Sequence, residues 1–250
     1  MFRRLFLTVI PTVLAVTCSV MQASAEDKGL LYYYALKESG AQIILVPGNN
    51  GRTEGVILIG SGREGASTVK SLRNLGISKI DFYVTSGNSL GMEEIYRSFK
   101  INHVWTTDNK YTGKHPKKSG APMFTQYRAG ELYQLGNAVV RVLSPARGKG
   151  GKAFLLTCGE TSMLISDMDI DTLLKTTGTL PKTDIITAPW NGEDVSGYMK
   201  ASDAVLTVLL TDKPYDGEGK DSGYRGVTDL SEGSISFMTD GVSFSPMPEV

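Results

Sequence analysis

Side chains that could act as metal ligands or nucleophiles are scarce in this chain. Only two histidines, His103 and His115, and two cysteines, Cys18 and Cys158, occur among its 250 residues. A hydrolytic two-metal centre needs several imidazoles and carboxylates that converge on a bridging water and lower its pKa. Two histidines cannot provide such a site. Cys158 follows the apolar run 153–156 with no histidine near it in sequence, which predicts a small buried hydrophobe rather than a nucleophile.

Three aspartates alternate along one segment, at Asp167, Asp169 and Asp171. The alternation is a candidate calcium site, but a helix–loop–helix calcium loop would need glycine at its sixth position and glutamate at its twelfth. Those positions hold Thr172 and Gly178. Because carboxylates favour the positive end of a helix dipole, we expect the aspartates to mark the start of a helix.

Other polar motifs have ordinary structural interpretations beside the chemical ones. Glu193 and Asp194 form a possible carboxylate pair, but their position predicts helix capping. Ser86 could be a nucleophile only with a histidine partner, and none is close in sequence. The glycine-rich segment 60–65 lacks the lysine and the spacing of phosphate-binding loops, which indicates a simple β–α connection.

The elements that would position these residues follow from hydrophobic periodicity. Three short apolar segments separated by turn signals predict an antiparallel meander. They are residues 30–36, 42–46 and 55–59. From Gly65 the apolar residues fall three apart, and Gly76 stands where a helix C-cap belongs. Further strands are predicted at 80–84, 103–106, 132–135, 138–143, 153–156, 162–166, 184–187 and 204–210, with helices at 92–99, 171–175 and 195–201.

Three more segments complete the predicted layout. Long polar loops are expected near 108–130 and 212–232. A C-terminal hairpin with an Asp-Gly turn is expected over 234–238 and 242–244, joined by the turn Thr239-Asp240-Gly241. Strands that alternate with helices after an initial meander indicate mixed sheets with helices packed on them.

The order of these segments resembles the metallo-β-lactamase fold and, more narrowly, the soluble domain of ComEC-type bacterial DNA-uptake (competence) proteins. The segments that carry the resemblance run in order through the chain: 55–62, 67–81, 104–107, 141–145, 183–189 and 233–241. The resemblance implies an α/β (α+β) protein, an αββα sandwich of two mixed sheets with outer helices.

The metal-binding motifs of that superfamily are degenerate in this chain. Where the family has Thr-His-x-Asp-x-Asp-His, the chain has Thr-Ser-Gly-Asn-Ser-Leu-Gly at 85–91; where it has Pro-His-His-Gly, the chain has Pro-Trp-Asn-Gly at 189–192. Ser166-Asp167-Met168 replaces the family's Thr-Gly-Asp. The resemblance therefore implies a vestigial cleft with no metal, no cofactor and no catalytic residues. Its expected lining is Ser86, Asn88, Asp167, Trp190 and Asn191.

Trp190 would lie on the floor of that cleft if the resemblance holds. An aromatic ring beside amide groups is a plausible platform for a sugar or another small ligand. The same ring could instead be a plug that fills the space left by lost metals. Both interpretations stay open at this stage.

The first residues predict export. Arg3 and Arg4 precede an apolar run at 5–16, and Ala23-Ser24-Ala25 provides a signal-peptidase site. We therefore assign residues 1–25 to a signal peptide and 26–250 to a single domain that is periplasmic or extracellular. The apolar run is shorter than the roughly 20 residues of a membrane span. Lipid attachment at Cys18 is the alternative, although residues 15–17 match a lipobox poorly.

Composition narrows the possible partners. The chain has 26 basic and 26 acidic residues, so it lacks the basic excess of a typical nucleic-acid binder. The basic cluster at 114–118 lies in a predicted loop. We expect an exported, non-catalytic protein that acts by binding an unknown ligand or protein partner. The alternatives are a phosphodiesterase-like, metal-dependent hydrolase with a non-standard metal site, and a DNA-uptake accessory protein.

Overall fold

The protein is described here by a computed structural model that covers residues 30–48, 53–60, 65–85, 91–106, 124–144, 151–190, 195–211, 213–215 and 226–247. The predictions for the signal peptide, Cys18 and the basic cluster at 114–118 lie outside these ranges. So do those for Ser86, Asn88, Asn191, Glu193 and Asp194. Within the described ranges, no helix combines the length and the hydropathy that crossing a membrane would require.

The first sheet has the strand order β15-β14-β1-β2-β3-β4-β5-β6. Strands β1 to β3 form the predicted antiparallel meander, and β3 to β6 run parallel to one another. The crossovers that follow β3 and β4 contain helices α1 and α2. The bounds are β1 Leu31–Ala35, β2 Gln42–Pro47, β3 Thr53–Ile59, α1 Gly65–Asn74, β4 Lys79–Thr85, α2 Met92–Ser98, β5 Lys100–Thr106, β6 Phe124–Gln126, β14 Ile235–Thr239 and β15 Phe244–Pro246.

The second sheet has the strand order β13-β12-β11-β10-β9-β8-β7. Strands β7 to β10 are antiparallel, and β10 to β13 are parallel. Helices α3 and α4 lie in the crossovers after β10 and β11. The bounds are β7 Leu132–Leu135, β8 Ala138–Val142, β9 Ala153–Cys158, β10 Thr161–Ser166, α3 Ile170–Thr177, β11 Ile185–Ala188, α4 Ser196–Ser202, β12 Leu206–Leu209 and β13 Gly226–Asp229.

Alternation along the strands builds three apolar layers. The central layer lies between the two sheets and contains residues such as Ile57, Trp105 and Phe154. A second layer joins the first sheet to α1 and α2, and a third joins the second sheet to α3 and α4. Helix, sheet, sheet and helix are therefore stacked in that order, which confirms the predicted αββα sandwich of two mixed sheets.

Asp81 ties three strands of the first sheet together. Its Oδ2 accepts the backbone N–H of Val56 (3.1 Å), and its Oδ1 accepts the Asn102 amide (2.9 Å). Lys79 Nζ lies 2.7 Å from the same Oδ1. The carboxylate of β4 is therefore bonded to both neighbouring strands, β3 and β5. The Asp81 side chain is therefore a structural crosslink.

The polar loops are shorter than predicted, because each ends in a short strand at a sheet edge. Among the described residues, β6 pairs with β5 and β13 pairs with β12. Each is three or four residues long, so neither has enough positions to show an alternating pattern. Their pairing comes from the neighbouring strand and not from local sequence.

The C-terminal hairpin is confirmed, but the predicted turn Thr239-Asp240-Gly241 is wrong. Thr239 pairs with Phe244, which leaves a four-residue connection, Asp240 to Ser243. Asp240 Oδ1 accepts the backbone N–H groups of Val242 and Ser243, each at 2.9 Å. The Gly241 carbonyl accepts the backbone N–H of Glu160 (2.6 Å). The longer turn is favoured because its aspartate and this contact with the other sheet hold it.

Candidate functional site

The ends of the parallel strands in both sheets form the candidate site. Open α/β sheets bind ligands outside the carboxyl ends of their strands. We call this region the mouth and define it by Thr85 and Thr106, which end β4 and β5, Tyr127 after β6, Thr187 in β11, and the pair Lys152 and Asp167. Lys152 precedes β9, which runs antiparallel to β10, so it lies beside Asp167 at the same end of the sheet.

Asp167 is the vestigial-cleft residue whose interactions are best defined. Its Oδ2 lies 3.1 Å from Lys152 Nζ, and the Lys152 side chain is only 14% exposed. Its Oδ1 accepts the backbone N–H of Lys152. The backbone N–H of Asp167 in turn donates to the Lys152 carbonyl (3.1 Å). Both carboxylate oxygens are therefore already engaged by one lysine.

Tyr127 places a buried hydroxyl near this pair. The side chain is fully buried, and its ring packs against Trp105 and Phe154 at centroid distances of 5.8 and 5.3 Å. Its hydroxyl has no hydrogen-bond partner among the described residues. Burial raises the pKa of Tyr127 well above its ordinary value, and the negative charge of Asp167 raises it further. The phenol is therefore a neutral hydrogen-bond donor.

A buried polar link joins the two sheets close to the mouth. The Gln42 side-chain oxygen accepts from the Tyr33 hydroxyl (2.8 Å) and from the Thr187 hydroxyl (3.2 Å). Gln42 pairs with Ile59, the last residue of β3, and Thr187 lies one residue before the end of β11. Burial raises the pKa of Tyr33 far above its ordinary value, so this hydroxyl also stays protonated. The link is neutral and internally satisfied.

Trp190 lies on the helix side of the second sheet. Its half-buried indole meets Tyr215 edge to face at 5.6 Å and packs with the apolar layer under α3 and α4. The sequence suggested the cleft floor. Because side chains alternate along a strand, Thr187 faces the other sheet while Ala188 and Trp190 face the helices. The indole therefore contributes to the packing of this apolar layer.

The three alternating aspartates have different structural roles. Asp169 caps α3, where its side chain accepts the backbone N–H of Thr172 (2.8 Å). Hydrogen bonds from Thr172 lower the pKa of Asp169. Asp171 lies in the first turn of the same helix, and Asp167 pairs with Lys152. The prediction that these residues mark a helix start is confirmed.

The remaining candidate nucleophiles and ligands are remote from the mouth. Cys158 is buried at the end of β9 opposite Lys152, and burial raises the pKa of its thiol. His103 is exposed on β5 and stacks on Phe82 at 5.1 Å. Over the described part of the chain, no three histidine, cysteine or acidic side chains come together as a metal site.

The described residues of the mouth do not fit the two-metal centre that the resemblance would imply. Such a centre needs several free ligand atoms around each ion. At the described mouth, Asp167 supplies the carboxylate, and the lysine already neutralises it. Sequence reasoning missed Lys152 and Tyr127. Only the pairing of β9 with β10 places Lys152 opposite Asp167, and only the fold brings Tyr127 to Phe154.

Comparison with known proteins supports the architecture. No protein-family model and no curated protein sequence matches the chain, but solved structures do. The metallo-β-lactamase fold protein YhfI from Bacillus subtilis aligns with a TM-score of 0.50 and 10% identity, covering 80% of this chain and 95% of that one. MEM-A1, a subclass B3 metallo-β-lactamase from a soil metagenome library, aligns with a TM-score of 0.46 and 17% identity over 65% and 77% of the two chains. The chain therefore has the metallo-β-lactamase fold.

Proposed function

We propose that this is an exported, non-catalytic protein that binds a ligand or partner at the mouth of a metallo-β-lactamase fold. The observation that carries the proposal is the Lys152–Asp167 pair. Hydrolases of this fold need free carboxylates and imidazoles to hold their metal ions, whereas the carboxylate described at this mouth is held by an ammonium group 3.1 Å away.

The other described side chains at the mouth support a binding role. Thr85, Thr106 and Thr187 are buried and neutral, so none can act as a general base near neutral pH. Tyr127 keeps its proton because burial raises its pKa. Hydrolysis needs a group that activates water, whereas recognition needs only shape and hydrogen bonds. The described mouth provides the second and not the first.

Metal analysis combined with activity assays tests the proposal. The chain from Glu26 onward should carry no stoichiometric zinc, manganese or iron. It should also cleave neither bis-(p-nitrophenyl) phosphate nor a chromogenic β-lactam, with or without added metal. Stoichiometric metal together with chelator-sensitive phosphodiester cleavage would establish the alternative, a metal-dependent hydrolase with a non-standard site.

Ligand screening tests the positive half of the proposal. A ligand that binds only the folded state raises the melting temperature in proportion to the logarithm of its concentration. A true ligand of the mouth should stabilise the wild-type chain and lose that effect in the Asp167→Asn variant. Ligands whose effect survives this substitution bind elsewhere and count against the mouth as the binding surface.

The narrower likeness to ComEC-type domains suggests a DNA-uptake accessory as another candidate. The balance of 26 basic and 26 acidic residues speaks against it. Salt-dependent binding to duplex or single-stranded DNA would favour the accessory role, and its absence at low salt would exclude it. Mass measurement of the exported protein would show whether cleavage follows Ala25 or whether Cys18 carries a lipid.

A further inference from the structure

We infer that the Lys152 ammonium is a built-in counter-ion of Asp167 at the mouth, and that it excludes divalent cations from this carboxylate. The inference concerns the charge and stability of the site. It does not depend on the protein being non-catalytic.

Strand geometry fixes where the ammonium lies. Side chains two residues apart on a strand share a face, so Lys152 lies on the same face as Phe154, one step nearer the mouth. Phe154 faces the first sheet and contacts the Tyr127 ring at 5.3 Å. Lys152 therefore points into the space between the sheets, where its side chain is only 14% exposed.

The position of Asp167 is determined from several sides. Lys152 supplies both a backbone N–H and the ammonium, so each carboxylate oxygen has a partner. Gly151 allows the close approach, because a Cβ at that position would lie 2.2 Å from Asp167 Oδ1. A carboxylate fixed in this way cannot turn toward another ion without losing the lysine.

A divalent cation would meet two obstacles at this carboxylate. It would have to displace the ammonium, which is tethered to the chain and present at very high effective concentration. It would also lack further ligands, since hard cations need six or more oxygen donors and the described mouth offers one carboxylate. The lysine thus neutralises Asp167 and excludes an ion from it.

A second ion pair provides a matched control. Lys182 Nζ lies 3.2 Å from Asp203 Oδ2, almost the same separation, but these side chains are 88% and 55% exposed. Exposed pairs of this kind contribute little to stability. In the mouth pair the Asp167 side chain is 39% exposed but that of Lys152 is only 14% exposed, so removing one partner should cost more there. The two pairs differ chiefly in burial and in their place in the fold.

The experiment is a pair of double-mutant cycles read by melting temperature. Lys152→Met, Asp167→Asn and the double variant form one cycle, and Lys182→Met with Asp203→Asn forms the other. Each mouth variant alone should melt several degrees lower, and the double variant should melt well above the value expected if the two losses added. The surface cycle should be additive within error. Additive losses at the mouth would overturn the inference.

Two further measurements separate a built-in counter-ion from an ordinary ion pair. Neither EDTA nor millimolar manganese or zinc should change the melting temperature of the wild-type chain. A metal-induced rise that is absent in Asp167→Asn would overturn the inference. If Lys152→Met does not fold, Lys152→Arg decides, because an arginine keeps the charge and should restore near-wild-type melting. An arginine variant as damaged as the methionine variant would also refute it.

The outcomes distinguish this inference from the proposed function. Chelator-sensitive hydrolysis with the coupling at the mouth intact would refute only the non-catalytic role, since the metal would then lie elsewhere. Loss of coupling without any hydrolysis would refute only the built-in counter-ion.

Discussion

Buried tyrosines should make this protein unfold cooperatively at alkaline pH. Tyr33, Tyr34, Tyr96 and Tyr127 are each at most 4% exposed. Burial raises the pKa of Tyr34 to about 12 and raises the pKa values of the other three still further. In the unfolded chain all four return to the ordinary value of about 10. The folded state therefore holds these protons over a pH range in which the unfolded state releases them.

The sign and size of the effect follow from proton linkage. The stabilising contribution is complete below about pH 10 and falls as the pH rises above that value, because only the unfolded state then gains by ionising. Each such tyrosine contributes about 1.4 kcal/mol per pH unit, so four together remove about 5 kcal/mol per unit. A domain stable by about 5 to 15 kcal/mol should reach its unfolding midpoint between about pH 11 and pH 13.

The assay is a pH titration in which tyrosinate absorbance and far-ultraviolet circular dichroism are followed on the same samples. The buried fraction of the tyrosines should ionise in one step that coincides with loss of secondary structure. Gradual ionisation of all tyrosines near pH 10, with the circular dichroism unchanged, would refute the reasoning. Reversal of the signal on return to neutral pH excludes chemical damage.

Two variants test the individual assignments. Tyr127→Phe removes a hydroxyl with no hydrogen-bond partner among the described residues, so stability at neutral pH should stay the same or rise. Tyr33→Phe removes the hydrogen bond to Gln42 and should cost about 1 kcal/mol at neutral pH. Each substitution should reduce the loss of unfolding free energy per pH unit at alkaline pH. A large loss in Tyr127→Phe at neutral pH would show that its hydroxyl has a partner.

Three further outcomes are expected. Asp169→Ala removes the cap of α3 and should lower the free energy of unfolding by about 1 kcal/mol in urea titrations, while Asp169→Asn should cost much less; equal losses would contradict the capping role. Cys158 should resist a thiol reagent in the folded protein and react on unfolding, because its thiol is buried and its pKa is raised; rapid labelling without denaturant would refute this. Asp81→Ala should lower the free energy of unfolding by about 2 to 3 kcal/mol, because two strands lose their shared acceptor. Lys79→Ala should lower it by under about 1 kcal/mol. Similar losses in the two variants would mean that the ion pair, and not the hydrogen bonds, stabilises the sheet.

Much of the fold could be predicted from the sequence because the spacing of its apolar residues and turn signals is clear. The meander at the start follows from three apolar segments separated by turn signals, and α1 follows from apolar residues three apart. Gly76, the predicted helix C-cap, has a φ of +71°. Strands β6 and β13 could not be predicted from the sequence. They have too few residues to show a period, and partners distant in sequence determine where they pair.

The candidate site was harder to predict from the sequence because its contacts join residues on different strands. Asp167 could be picked out by its place in a motif, but Lys152 lies in a glycine- and lysine-rich stretch that reads as a loop. Only the antiparallel register brings the two together. The orientation of Trp190 likewise depends on the strand before it, since a shift of one residue moves a side chain to the opposite face.

The pairing of β1 with β14 has a consequence for how the chain is made. Leu31 lies opposite Thr239, so β1 stays open on one side until residues 235–239 are available. Contacts between such distant residues form slowly. During synthesis the first sheet therefore cannot close on this side of β1 until residues 235–239 have been made.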